Sequence, residues 1–263
     1  MKRGAKIRNI LTACTLLLAA LASPSVRAQL EVKELPTRPG VTLRFIYAKA
    51  QQPIASAVLF QGGSGSIGIR PNGTTRNPNF LSGGADRFVR SGITVAVLDT
   101  PSDRRSLDMF RHSSEHAEDV AAVIAFLRKE SDRPVWAIGT SNGSLSAASS
   151  AEFLGDRGPD GIVLTSSVTN YPRPNAHPIT EAALDRITVS TLFVHHRYDA
   201  CRSTPFDAIP PLLKKMTRAK KVDLIAIEGG EDRPNSCDSG HHQYVGVEQE
   251  VTQKIADWIR ANQ

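Results

Sequence analysis

Short apolar runs rich in β-branched residues, most of them separated by stretches long enough for a helix, recur along this chain of 263 residues. The runs Val41–Tyr47, Ala55–Phe60, Ile93–Leu98, Val135–Ile138, Gly161–Thr165, Thr191–His195 and Val222–Ile227 are mostly continuous rather than alternating, as strands covered on both faces are. Leu30–Pro36 adds an edge strand. Strands that alternate with helices build βαβ units. The pattern therefore predicts an α/β fold, a mostly parallel central sheet of about seven to eight strands with helices on both faces. Two helices are clearest. Val120, Val123, Ile124 and Leu127 recur at helical spacing behind Ser113 or Ser114 as N-cap, and Val247, Val251, Ile255, Trp258 and Ile259 make a second stripe. The Ser- and Ala-rich stretch Asn142–Leu154 suits a helix packed closely at the centre of a domain. Only about 25 residues separate the Gly161 and Thr191 strands, too few for an elaborate lid, so a single domain with a minimal lid is expected.

The first 28 residues read as a removable signal peptide: Lys2, Arg3, Lys6 and Arg8, an apolar stretch from Ile10 to Ala22, then small residues at Val26-Arg27-Ala28. Residues 29–263 are then one α/β domain, and the protein is expected to be exported, to a periplasm or beyond. The alternative, an uncleaved anchor, needs a longer apolar span. The leader carries five basic residues and no acidic one, so without it the formal net charge falls from +6 to +1. The charge balance argues neither for nucleic acid nor for an anionic membrane surface. Cys14 leaves with the leader. Cys201 and Cys237 remain, and in an oxidising compartment they are expected to form one disulfide; the alternative is two separate buried thiols.

Gly139-Thr140-Ser141-Asn142-Gly143 carries the chemistry. The G-x-S-x-G pattern alone is weak. Here a buried strand, Val135–Ile138, precedes it and a small-residue helix follows. A tight strand-to-helix turn needs glycine on both sides of the serine and lifts the hydroxyl into the open at a helix N-terminus.

With these residues the chain resembles the α/β-hydrolase family over essentially its whole length past the leader. The resemblance implies an order of elements: oxyanion loop, nucleophile elbow, acid after a late strand, histidine near the end. Gln61-Gly62-Gly63-Ser64-Gly65 follows the strand Ala55–Phe60 in the place of the oxyanion loop, with Gln61 where a histidine is common. The implied oxyanion donors are the backbone N–H groups of Gly63 and Asn142. Asp199, just past the strand ending near His195, is the implied acid; Glu231, Asp232 and Asp238 lie too close to the histidine, and Asp99 follows an earlier strand and is expected to brace the site or cap a turn. The implied base is His242, whose spacing to Gly246 and Glu248 fits the family pattern, with His241 one residue early as its rival and Gln243-Tyr244 replacing the usual pair. A Cys201–Cys237 bridge would tie the acid loop to the base loop.

The resemblance thus implies a serine hydrolase with Ser141, Asp199 and His242 in a triad, acting on a small-molecule carboxylic ester, or a thioester or amide, through an acyl-enzyme. No cofactor and no metal is expected, since the histidine pairs lack the spacing of a recognised metal motif. Two other readings stay open: a binding protein that keeps the fold without turnover, and an acyltransferase passing the same acyl group to an alcohol.

Overall fold

The computed structural model describes residues 29–171, 176–234 and 237–263. The leader expected over residues 1–28 lies outside these. The strands, in chain order, are β1 (Leu30–Arg38), β2 (Val41–Ala48), β3 (Ala55–Phe60), β4 (Ile93–Pro101), β5 (Val135–Thr140), β6 (Gly161–Thr165), β7 (Ser190–His196) and β8 (Val222–Ile227). They form one eight-stranded sheet in the order β1-β2-β4-β3-β5-β6-β7-β8. From β4 across to β8 all neighbours are parallel, while β2 joins β4, and β1 joins β2, antiparallel. Each sequence run lies within or coincides with one of these strands, and the edge strand is present, extended to Arg38.

The sheet has a core on each face. Residues alternate sides along a strand, so Val58 and Phe60 of β3 face one core and Ala57 and Leu59 the other. The first core is closed by α2 (Ser114–Glu130), α3 (Gly143–Leu154) and α4 (Ile209–Lys215). The second is closed by α1 (Ala85–Arg90) and α5 (Glu248–Ala261). Val120, Val123, Ile124 and Leu127 of α2 are fully buried, and Ser113 caps the helix by accepting from the His116 N–H at 3.1 Å. Along α3, Ser144, Ser146, Ala147, Ala148 and Ser149 are buried; their small side chains let the helix lie close to sheet and α2. Arg38 on β1 grips the buried Asp119 of α2 through Nε at 2.8 Å and Nη2 at 3.0 Å, fastening the edge hairpin to the body. Between β6 and β7 the described residues hold only two short 3-10 turns, Ile179–Glu181 and Leu184–Arg186. Among the described residues no helix is long and apolar enough to cross a membrane.

The strand order positions the crevice. β3 lies between β4 and β5, so the chain's direction of travel across the sheet reverses there. The carboxyl ends of β3 and β5 open side by side, with Phe60 opposite Gly139. In open α/β sheets, the crevice outside such a switch point is where ligands bind.

Candidate active site

The loop leaving β5 turns at Ser141, whose φ of 54° lies in the left-handed region that non-glycine residues rarely adopt. The flanking glycines permit the turn. A Cβ on Gly139 would sit 2.1 Å from the Gly143 carbonyl oxygen, and one on Gly143 would sit 2.2 Å from that of Phe60. The Ser141 N–H bonds the Thr165 carbonyl at 2.9 Å, which anchors the turn to β6. α3 starts two residues later, and the positive end of its dipole faces the serine.

The loop leaving β3 comes up against this turn: a Cβ on Gly62 would lie 2.7 Å from the Ser141 Cβ and 3.3 Å from its Oγ. Among the described residues, no acceptor takes the backbone N–H of Gly63 or of Asn142. The orientation of the Gly62–Gly63 peptide is fixed from the other side, since the Gly62 carbonyl accepts the Gly65 N–H at 3.1 Å. In a trans peptide this points the Gly63 N–H the opposite way.

A residue that the sequence reading did not single out holds this loop. Arg111, almost fully buried, donates from Nη2 to the carbonyls of Gln61 (3.1 Å) and Gly63 (3.2 Å), and from Nη1 to the Ser146 hydroxyl on α3 (2.8 Å). Asn142 Nδ2 adds a bond to the Gly63 carbonyl at 3.2 Å. Gln61 points outward instead: its amide donates to the Asn77 carbonyl at 3.2 Å and accepts from the Ser82 hydroxyl. Asp99 braces the same loop farther on, accepting the N–H groups of Ile67 (3.0 Å), Ile69 (3.1 Å) and Thr100 (2.9 Å).

Across the crevice, Asp199 follows β7 and His242 sits in a 3-10 turn, Gly240–Gln243. Asp199 Oδ2 and His242 Nδ1 are 2.8 Å apart, with both side chains shielded from solvent. Asp199 also accepts the Thr204 hydroxyl at 2.8 Å and the Cys201 N–H at 3.0 Å. Burial pushes the Asp199 carboxyl up, but the hydrogen bond and charge of His242 outweigh it with help from these two donors. The carboxyl titrates below its ordinary range and is ionised at neutral pH. His242 Nε2 is buried and has no hydrogen-bond partner among the described residues.

His241 turns elsewhere. Its Nδ1 bonds the Tyr198 carbonyl at 3.0 Å, and its ring stacks on that of His196 at 4.0 Å and 7°. His196 accepts the Tyr198 N–H on Nδ1 and donates from Nε2 to the Gly229 carbonyl at 2.8 Å, which fixes a neutral tautomer; burial lowers its pKa in the same sense. His195, also held neutral by burial, bonds the Thr204 carbonyl at 2.8 Å. Cys201 and Cys237 form a disulfide that joins the Asp199 loop to the loop before His242. Among the described residues, no group of three His, Cys, Asp or Glu side chains is arranged to hold a metal ion.

At the level of sequence, no family model and no curated protein matches this chain. Among solved structures it is similar to an esterase of Pyrococcus furiosus, with a TM-score of 0.67 and 11% identity over 89% of this chain and 91% of that one. It is similar to a dienelactone hydrolase from Anabaena variabilis, with a TM-score of 0.64 and 14% identity over 90% and 99% of the two chains. A cold-adapted esterase from an Arctic intertidal metagenomic library gives a TM-score of 0.62 at 17% identity over 90% and 95%. At such identities the likeness is one of fold.

Proposed function

We propose, for a chain that has the α/β-hydrolase fold, that it is an exported serine hydrolase cleaving carboxylic esters of small molecules. The observation that carries the reading is the buried Asp199–His242 pair, bonded through Nδ1 and leaving Nε2 without a partner among the described residues, with the adjacent Gln243 lining the same cavity as the strained Ser141 turn. A histidine fixed in this tautomer by a carboxylate can accept a proton on Nε2 and return it. The disulfide supports the exported part of the reading, and the named activities of the structural neighbours support the substrate class.

In the mechanism, Ser141 Oγ attacks the ester carbonyl carbon while its proton passes to His242 Nε2. The tetrahedral oxyanion is bound by the N–H groups of Gly63 and Asn142 at the positive end of α3, where fixed dipoles meet the developing charge. As the carbon–oxygen ester bond breaks, the imidazolium gives its proton to the departing alcohol. Water then attacks the acyl-enzyme, His242 takes its proton, the acid leaves and Ser141 regains its hydrogen. Asp199 stabilises the imidazolium in both halves. Arg111 acts at one remove, holding the carbonyls on either side of the Gly63 donor.

The reading is tested by treating the purified protein with a fluorophosphonate and locating the adduct by peptide mass spectrometry. The expected adduct is on Ser141, and Ser141→Ala should neither label nor hydrolyse an activated ester. Undiminished turnover by that variant would overturn the mechanism.

A further inference from the structure

Two cavities flank the Ser141–Asn142 dipeptide, one lined by Ser141 and the other by Asn142, and they differ in size and chemistry. The first, of about 380 Å³, is lined by Ser141 and the loop after β3 together with Cys237, Asp238 and Gln243 from the segment around the base. The second, of about 180 Å³, contains Asn142 and α3's Leu145, and reaches away to Leu107, Met109, Ala176 and His177; none of its described lining residues belongs to the base loop.

The mechanism proposed above assigns them. The departing alcohol must take its proton from His242 Nε2, so it lies on the base side of the nucleophile, in the larger cleft. The acyl chain lies on the other side of Asn142, in the smaller cavity. The acyl cavity, at about 180 Å³ against about 380 Å³, is the smaller of the two and suits a short acyl group. Leu107, Met109, Leu145 and Ala176 offer a short chain apolar contact. His177 and Glu181, paired at 3.3 Å, interrupt them, so among the described residues the lining offers no continuous apolar channel for a fatty chain.

The cleft on the alcohol side is unusual in the opposite way. Small-molecule pockets are lined mainly by apolar and aromatic side chains. Here the described lining presents Ser64, Ser66, Asn77, Asn79, Asp238 and Gln243, against Pro78 and the half-cystine Cys237. Several of these groups have hydrogen-bonding capacity to spare. Gln243 uses Oε1 on the Phe80 N–H at 3.0 Å, and Asn79 uses Oδ1 on the N–H groups of Leu81 and Ser82, which leaves both NH₂ groups uncommitted. An aliphatic alcohol would strip water from these groups and return nothing, whereas hydroxyls would replace that water bond for bond.

We infer that this site takes short-acyl esters of a hydroxyl-rich alcohol, a sugar or comparable polyol, with the acyl group beside Leu145 and the polyol against Asn77, Asn79, Asp238 and Gln243. The inference rests on the proposed ester hydrolysis and adds its substrate class.

The test uses the purified protein and two series of esters. Along para-nitrophenyl acetate, butyrate, octanoate and laurate, kcat/KM should fall between butyrate and octanoate. Leu145→Ala, which enlarges the acyl cavity, should raise the octanoate-to-acetate ratio by about tenfold. In the second series, a mono-acetylated methyl glucoside should exceed octyl acetate in kcat/KM by about tenfold or more, and Asn77→Leu should shrink that ratio. If octyl acetate matches the glucoside ester, or laurate matches acetate, while Ser141 still labels with fluorophosphonate, the substrate class is wrong and the hydrolase reading stands. If no ester turns over and Ser141 does not label, both fall together.

Discussion

Asp199 and His242 stand on two loops that a covalent bond joins between Cys201 and Cys237, whereas the loops of Gly63 and Asn142 are joined by hydrogen bonds of Arg111 and Asn142. Both halves of the crevice must hold a fixed geometry, and each does so with what its surroundings allow. The loops that carry Asp199 and His242 leave β7 and β8 at the end of the sheet, and a disulfide near the surface can span them. The Gly62–Gly63 loop leaves β3 in the middle, against the loop that carries Arg111, and a buried guanidinium with several donors reaches backbone carbonyls that no cross-link could. The difference teaches that the covalently tied half should survive loss of its tie better. The disulfide sits beside a pair that is already hydrogen-bonded and buried. Arg111 is itself the contact, and its removal strands the Gln61 carbonyl and leaves that of Gly63 to Asn142 Nδ2 alone.

The largest effect expected lies within the acid–base half. His242→Ala should lower kcat by roughly 10⁴- to 10⁶-fold, the span over members of such triads, while His241→Ala should cost far less. Steady-state kinetics on the two variants decide it, and a reversed order would make His241 the base. Next comes the oxyanion half. Arg111→Met should lower kcat by about 10²-fold with KM little changed, because the donors it positions bind the transition state rather than the ground state. Arg111→Lys should recover only part of this, since one ammonium cannot fork to both carbonyls and to Ser146. A variant that melts earlier yet keeps its kcat would reduce Arg111 to a fold staple and remove the contrast.

Cys201→Ser should then show the smaller catalytic loss, about tenfold or less, with a larger thermal one. Closing a loop with a sequence separation of 36 corresponds to about 3–4 kcal/mol in the chain-entropy model. Non-reducing peptide mapping and melting curves measure it. A kcat loss exceeding that of Arg111→Met would invert the comparison.

The smallest effect concerns pH. His116 lies between the rings of Phe60 and Phe110, and burial, then the charges of Arg111 and Arg38, lower its pKa from 6.5 to about 3. The unfolded chain therefore binds a proton over a range in which the folded one does not. The stability this gives is fully present above about pH 6.5 and is lost as pH falls from there toward 3. His195 and His196, also lowered, act in the same direction. Melting temperature should decline on acidification, and His116→Phe should make the decline shallower; an unchanged slope would show that His116 is not its source.

Much of this was legible in the sequence because it rests on runs of side chains. Continuous apolar segments marked the buried strands, and Gly139 to Gly143 announced a turn whose glycines touch backbone on both sides. The choice between His241 and His242 was harder, since both fall in one turn. A 3-10 turn sets successive side chains about a third of a revolution apart, so neighbours face different partners and spacing alone does not say which. Arg111 left no signal at all. It sits in an irregular loop among other arginines, and its partners at Gln61 and Gly63 are carbonyls, which every residue has. Thr204, bonded to Asp199, was hidden for a related reason: a lone threonine in a loop fits no pattern.

The pairing of β3 with β5 has a further consequence, for how much error the site can tolerate. The two loops that must meet at Ser141 hang from adjacent strands locked in register from Ser56 opposite Val135 to Phe60 opposite Gly139. A slip of one residue would move one loop past the other by about 3.3 Å, more than the length of a hydrogen bond, and would turn every β3 side chain to the wrong core. No intermediate setting exists. The alignment of Ser141 with the Gly62–Gly63 loop is therefore inherited from a ladder that admits only whole steps, and the residues farther out along the loops are free to change without disturbing it.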